Sequence, residues 1–345
     1  MRAVVYTENG PASVLHLVDR EAPDPGSGEV RVRVVRAGVN PTDWKFRQGG
    51  AVGGMPYPEV VPGQDGSGIV DAVGPGVTGF TVGDRVWVML AQHQHPGGTA
   101  QELVVLPGER VFSLPEAAGF DLGASLGVPA VTAHRALTTS EDGPDRLFPG
   151  ALAGTTVLVA GGAGAVGNAA IQLATWSGAT VIATISSEQK AALATSAGAH
   201  HTVDYTQGDP AASIREIAPD GVDIVVEVAP AQNFQLDLAV IRARGTISVY
   251  ANNGGDEVTF AVRETFSTNA RVQFVLLYTV GQKALSAAAE DVNAAVADGG
   301  FRVGEGHGVP VHHYPLDRTA DAHRAVEDGA VGKVLVDVSS PGQSR

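Results

Sequence analysis

A glycine-rich turn between a predicted strand and a predicted helix is the feature that most constrains the fold. Residues 157–167 read VLVAGGAGAVG, in which Gly162, Gly164 and Gly167 form the pattern G-x-G-x-x-G. The β-branched run 155–161 predicts a strand, and the pattern over 165–177 predicts a helix. Small residues there let the backbone approach a pyrophosphate, whose charge the helix N-terminus stabilises, so dinucleotide binding is favoured over an ordinary turn. The predicted cofactor-binding residues of this turn are Gly161, Gly162, Gly164, Ala165, Val166 and Gly167.

The end of the next predicted strand, 180–185, bears on the choice between NAD and NADP. NAD sites usually place Asp or Glu there to bind the ribose 2′-hydroxyl. Here Ser186 and Ser187 follow the strand, and Lys190 lies in the first turn of the predicted helix 188–197. A lysine can bind a 2′-phosphate, although a solvated surface position is its usual environment. The pattern favours NADPH.

The chain has two textures. Residues 1–124 alternate short β-rich runs with Gly/Pro turns, which predicts a barrel-like β domain. Beyond residue 125, predicted strands alternate with predicted helices, which indicates an α/β domain with a parallel sheet. The later predicted strands lie at 222–228, 245–250, 271–279 and 332–338, and the later helices at 234–241 and 281–298.

The composition excludes several classes of function. The 345 residues include 23 Lys and Arg against 37 Asp and Glu, a net charge of −14, which argues against binding nucleic acid or anionic lipid. The chain has no Cys, which rules out disulfides, thiolate nucleophiles and Cys-ligated zinc. It shows no apolar run of about 18 residues and no secretory signal, so we expect a cytoplasmic protein without a membrane span.

Seven sequence blocks, in matching order and spacing, resemble the medium-chain dehydrogenase/reductase superfamily. They lie at 37–49, 61–77, 83–88, 128–137, 157–174, 198–205 and 329–338. Gly63-Gln64-Asp65 stands where zinc-dependent relatives carry Gly-His-Glu, so the chain most resembles the zinc-free quinone oxidoreductase (zeta-crystallin-like) branch. The resemblance implies a GroES-like catalytic domain (1–124 and 280–345) and a Rossmann NADPH-binding domain (125–279). The active site would lie in the cleft between them.

The resemblance also implies roles for single residues. Asn40, in AGVNP, and Thr132, in VTAHRAL, would lie near the nicotinamide and act in catalysis; a turn residue before Pro41 is the alternative for Asn40. Tyr205 would lie against the adenosine 2′-phosphate, with Lys190 as its cationic partner. The other implied cofactor contacts are Tyr250, Ala251, Lys333 and Val334. Plausible walls of the substrate cleft, or equally core residues, are Trp44, Tyr57 and Phe274.

The expected activity is hydride transfer from NADPH to a quinone or a related activated carbonyl or alkene acceptor, without a metal. A dedicated enone or enal reductase is the second hypothesis, and an NADPH-binding sensor or structural protein with little turnover is the third. Enone reduction also needs a proton, and the candidate acids Tyr57, Asp43 and Asp65 are not distinguished by the sequence. An apolar strand at 271–279 would leave an exposed sheet edge. In the family this edge pairs with a second copy, so we expect a homodimer.

Overall fold

A computed structural model of the chain describes residues 1–50 and 55–339. The strands are β1 (Arg2–Val5), β2 (His16–Asp19), β3 (Glu29–Val39), β4 (Asp65–Val73), β5 (Arg85–Val88), β6 (Leu103–Pro107), β7 (Val111–Ser113), β8 (Thr156–Val159), β9 (Thr180–Ile185), β10 (His201–Asp204), β11 (Val222–Glu227), β12 (Ile241–Val249), β13 (Arg271–Phe274), β14 (Val311–Pro315) and β15 (Lys333–Asp337). The helices are α1 (Pro41–Arg47), α2 (Phe120–Gly123), α3 (Val131–Leu137), α4 (Ala165–Trp176), α5 (Glu188–Ser196), α6 (Pro210–Ile217), α7 (Pro230–Val240), α8 (Val262–Thr265), α9 (Gln282–Ala297) and α10 (Thr319–Glu327). None of the helices within these residues is long and apolar enough to cross a membrane.

The first unit combines Met1–Val128 with Val311–Arg345. Its main sheet has the order β14-β15-β3-β4-β5-β7. Strand β6 pairs with the first half of β3, and β15 pairs with the second half. In β3 the side chains of Val30, Val32 and Val34 are fully buried, whereas Arg31 and Arg33 between them are partly exposed. This alternation, which the sequence predicts, places one face of β3 in the core of a GroES-like β domain. The late strand β15 joins this sheet by pairing antiparallel with β3.

The second unit, Pro129–Pro310, is a doubly wound α/β domain. Its six strands are all parallel, in the order β10-β9-β8-β11-β12-β13. The strands are short runs of Val, Ile and Leu because both faces of the sheet are covered, and Val157, Val181 and Val225 are fully buried. The strand order reverses between β8 and β11, so the carboxyl ends of these strands form the crevice where such sheets bind ligands. The predicted fold class is confirmed.

Several boundaries differ from the sequence-based ones, and three of the differences have a clear physical cause. Segment 280–310, assigned from the sequence to the catalytic domain, belongs to the second unit, because α9 packs against α3 and α4. Helix α7 begins at Pro230, where proline suits the first helical turn, and not at Phe234. Strand β13 ends at Phe274, earlier than the predicted residue 279, because Phe274 lies opposite Val249, the last residue of its partner strand β12.

Candidate active site

The glycine-rich turn connects β8 to α4 at the carboxyl edge of the parallel sheet. Gly161 has φ +67°, a conformation that favours glycine, and Gly164 is the N-cap of the twelve-residue helix α4. The turn is closed by a hydrogen bond from the N–H of Gly164 to the carbonyl of Gly161, at 3.0 Å. The helix therefore presents its first N–H groups at this edge, as a pyrophosphate site requires.

The glycines of the motif differ in the space around them. A Cβ on Gly162 would lie 2.9 Å from the Cβ of Ala183 on β9, and a Cβ on Gly167 would lie 2.4 Å from the carbonyl oxygen of Gly161. Both positions are closed by the protein itself. A Cβ on Gly164 would have its nearest neighbour at 3.5 Å, which is an ordinary contact. The protein thus leaves space beside Gly164, where a bound group can approach the backbone.

A cation and two hydroxyl groups lie together after β9. The Lys190 ammonium donates to the Ser186 hydroxyl at 2.9 Å, and Ser187 caps α5 by accepting from the N–H of Lys190 at 3.3 Å. Tyr205 directly follows β10, and its N–H donates to the carbonyl of Ile185 at 3.1 Å. Tyr205 is 47% exposed. Lys190 has no acidic partner among the residues that the structure describes.

A buried polar cluster joins β3, β4 and β15 in the first unit. The Asn40 side chain donates to the Asp65 carboxylate at 2.7 Å and accepts from the Lys333 ammonium at 2.7 Å. Lys333 is also 3.8 Å from Asp65 and 3.4 Å from the carbonyl oxygen of Val39. These contacts orient the Asn40 amide, because its nitrogen faces an acceptor and its oxygen faces a donor. Asp65 further accepts from the N–H of Val128 at 2.8 Å.

Two glycines make room for this cluster. A Cβ on Gly38 would lie 3.1 Å from the Lys333 ammonium and 2.2 Å from the carbonyl oxygen of Ala124. A Cβ on Gly127 would lie 2.1 Å from the Asp65 carboxylate. The chain therefore omits side chains at the positions where the buried ion pair needs space.

The cluster holds two carboxylates and one ammonium, so its groups titrate together. Burial, and the charge of Asp65, raise the pKa of Asp43 to about 7, against the lowering effect of the Asn40 N–H, which donates to it at 2.7 Å. Burial also raises the pKa of Asp65 and lowers that of Lys333, while their attraction opposes both shifts. The cluster therefore retains a proton on a carboxyl group near neutral pH.

The remaining predicted site residues are spread over both units. Val334 is buried on β15, opposite Val39 of β3. Thr132 is buried on α3 in the second unit. Trp44, on α1, and Tyr57, which packs partly against the core, belong to the first unit. Phe274 belongs to the second unit, on the outer strand β13, where it is 73% exposed.

Residues 250–253 follow β12 at the carboxyl edge of the parallel sheet and bond to the end of β11. The end of β11 carries one member of a carboxyl pair that the sequence analysis missed. The N–H of Tyr250 donates to the carbonyl of Glu227 at 3.1 Å, and Ala251 comes next in the chain. The carboxyl group of Glu227, at the end of β11, is buried together with that of Asp237 on α7. Burial raises the pKa of both, and the hydrogen bond between them raises that of Asp237 further. Only their three-dimensional proximity reveals this pair, since the two residues lie ten positions apart on different elements.

Two family models match the chain: an alcohol dehydrogenase GroES-like domain over residues 26–116 and a zinc-binding dehydrogenase domain over 165–294. Over 342 residues the chain is 32% identical to a quinone oxidoreductase of Rattus norvegicus, and the match covers 97% of each. The chain belongs to the medium-chain dehydrogenase/reductase superfamily, in its quinone oxidoreductase branch. This membership makes it an oxidoreductase that binds a nicotinamide cofactor.

Other members of the superfamily are similar to this oxidoreductase over most of its length. A 2-haloacrylate reductase of Burkholderia is 33% identical over 264 residues, which are 74% of each chain. A solved NAD-dependent alcohol dehydrogenase has a TM-score of 0.85 and 32% identity, covering 98% of this chain and 100% of its own. A mycobacterial protein solved in complex with NADPH has a TM-score of 0.81 and 30% identity, covering 97% and 99%.

Proposed function

We propose that this oxidoreductase uses NADPH to reduce quinones, without a metal ion. The observation that carries the choice of NADPH is that Lys190 and Ser186 follow β9, where NAD sites usually have an acidic residue, and that Tyr205 follows the neighbouring strand β10. A lysine and hydroxyl groups match a 2′-phosphate in charge and hydrogen bonding. The mycobacterial neighbour bound to NADPH supports this choice. Similarity to an NAD-dependent alcohol dehydrogenase makes cofactor preference the first property to measure.

In this proposal the predicted cofactor residues keep the roles that their sequence blocks imply. The first N–H groups of α4 bind the pyrophosphate, and the space beside Gly164 admits it. Asn40 and Lys333 of the first unit, and Thr132 and Val334, lie near the nicotinamide, while the backbone at Tyr250 and Ala251 contacts the cofactor. The bound cofactor supplies the hydride, and the protein's task is to orient it against the acceptor and exclude water.

The acceptor class rests on the relatives. The quinone oxidoreductases among them support quinones as the acceptors of this protein. The 2-haloacrylate reductase favours a second candidate function, reduction of an activated C=C bond. Relative turnover of a small quinone and a cyclic enone separates the two candidates.

The donor set around Asp65 supports a reaction without zinc, although one matching family model is a zinc-binding dehydrogenase. The neighbour of Asp65 in sequence is Gln64, not histidine, and the chain has no Cys. A lysine ammonium already lies 3.8 Å from the Asp65 carboxylate, and a second cation there would be repelled. Among the described residues, no three His, Asp or Glu side chains are grouped so that they could hold a metal ion.

The test is oxidation of NADPH and NADH with quinones and enones, followed by the near-ultraviolet absorbance of the reduced nicotinamide. Lys190→Ala should weaken NADPH binding roughly 10- to 100-fold and leave NADH unchanged, because one charge-assisted contact is lost. Lys283→Ala, at an exposed lysine on α9, is the matched control. Equal use of both cofactors by the wild type would contradict the proposal. Thermal stabilisation by NADPH without turnover of any acceptor would instead indicate a sensor or structural protein.

We also propose a homodimer formed through β13. This strand is one of the two edges of the parallel sheet, and Val272, Phe274 and Leu276 on and beside it are 40%, 73% and 56% exposed. An apolar free edge of this kind favours pairing with another strand, and a second copy of β13 would continue the sheet. Light scattering measures the mass that decides this.

A further inference from the structure

The side-chain amide of Gln64 is fully buried, and among the described residues neither its nitrogen nor its oxygen has a hydrogen-bond partner. Other buried glutamines are held in place: Gln101 donates to the carbonyl of Gly98 at 2.8 Å, and Gln172 accepts from the N–H of Arg302 at 2.8 Å. An unpartnered buried amide costs free energy that leucine in its place would not. A ligand group that accepts from this amide would account for it.

Further unpartnered polar atoms lie on Asp43, which contacts the backbone of Gln64, and on the residue that follows Asp43. The Asp43 carboxylate accepts from the backbone N–H of Gln64, while its second oxygen has no partner among the described residues. The indole N–H of Trp44, the next residue on α1, is also buried without one. Asp65, next to Gln64, holds Asn40 and through it Lys333. Through its backbone and its neighbour Asp65, Gln64 therefore adjoins the buried cluster of the candidate active site.

The charge of this cluster restricts what the amide can bind. Asp43 and Asp65 together outweigh the single cation Lys333, so the surroundings are neutral or negative and disfavour an anionic ligand. A neutral molecule with a hydrogen-bond acceptor suits the amide N–H groups. A conjugated carbonyl oxygen is such an acceptor, and it is common to quinones and enones.

We propose that Gln64 donates a hydrogen bond to the carbonyl oxygen of a neutral quinone or enone, and that the Gln64 site discriminates against unsaturated carboxylates. This inference rests on the proposed function. When hydride reaches the conjugated carbon of an enone, the π-electron pair moves onto the carbonyl oxygen, and a proton from solvent completes the product. A donor already in place stabilises that developing charge more than the neutral carbonyl, so it raises kcat.

The experiment compares wild type with Gln64→Leu and Gln64→Glu, using NADPH with a cyclic enone, a small quinone and an unsaturated carboxylate. Gln64→Leu should lower kcat for the enone roughly 100-fold, the loss typical of one oxyanion donor, with a small change in KM. Its melting temperature should equal or exceed that of the wild type, because an unpartnered polar group is removed. Gln64→Glu should lose activity at least as strongly. The wild type should reduce the carboxylate much more slowly than the enone.

Gln101→Leu, which removes a partnered buried amide, is the control: it should lower the melting temperature without changing acceptor selectivity. An unchanged kcat in Gln64→Leu, or a lower melting temperature with equal losses for all acceptors, would overturn the role of Gln64. A wild type that binds NADPH and reduces none of the acceptors would instead overturn the proposed function, and this role with it.

Discussion

Lys333 neutralises part of a buried charge cluster. The variant Lys333→Met would measure how much the stability of the fold depends on this lysine. The lysine is 2% exposed and contacts Asn40, Asp65 and the carbonyl of Val39. Methionine keeps most of the apolar stem but leaves two buried carboxyl groups without a counter-charge. Removing one partner of a buried ion pair typically costs about 3–5 kcal/mol of unfolding free energy. For a domain of this size we expect the melting temperature to fall by roughly 10 °C.

The pH dependence of this loss separates a charge effect from a packing effect. The folded-state pKa of Asp43 is about 7, above its ordinary 3.8, so the folded protein holds a proton that the unfolded chain releases. Its contribution to stability is complete below pH 4 and is lost as pH rises to about 7. Without Lys333 the carboxyl pKa values rise further. The variant should therefore lose another ~1.4 kcal/mol per pH unit above neutrality for each retained proton.

The assay is thermal unfolding from about pH 6 to about pH 9, a range chosen to cover this titration. Asp65→Asn in the Lys333→Met background should recover part of the loss, because it removes one uncompensated carboxylate. Lys283→Met, at an exposed lysine, should leave the melting temperature unchanged. A Lys333→Met deficit that is the same at every pH would refute the electrostatic reasoning and leave only a packing role.

Three further predictions concern other parts of the molecule. His323 accepts from Arg47 at 3.3 Å, and burial lowers the pKa of His323 to about 3. The stability that neutral His323 contributes above pH 6.5 is therefore lost as pH falls toward 3. In urea unfolding, the free energy of unfolding should differ less between pH 7 and pH 5 in His323→Gln than in the wild type. Gly167→Ala should unfold at a much lower temperature, because its Cβ would lie 2.4 Å from a carbonyl oxygen, whereas Gly164→Ala should melt like the wild type and bind NADPH more weakly; equal melting of both would contradict this account. Phe274→Lys should halve the mass measured by light scattering if β13 forms the dimer, and a monomeric wild type would refute that interface.

The sequence predicts those parts of the fold that local patterns encode. The alternation of Val30, Val32 and Val34 and the strand–turn–helix setting of the glycine motif each depend on neighbours in the chain, and both are confirmed. The limits of β13 and the place of segment 280–310 depend on partners distant in sequence, so the pattern could not provide them. For the candidate site, sequence resemblance led to Asn40 and Lys333 separately.

Only the structure brings those two residues into contact and shows the unpartnered amide of Gln64 nearby. The site roles of Thr132, Tyr250 and Phe274 remain predictions that cofactor-bound crystals would test.

The bond between Asn40 and Lys333 joins residues 293 positions apart, and this separation bears on the order of events during synthesis. Residues 129–310 form a contiguous unit that can fold while the ribosome is still translating. The first unit cannot complete its sheet until β15 emerges from the ribosome. Asp43 and Asp65 therefore lack their counter-ion, Lys333, through most of translation. Until then the nascent first unit exposes the edge of β3 that β15 will cover, which makes that stage the one most open to aggregation and most dependent on chaperones.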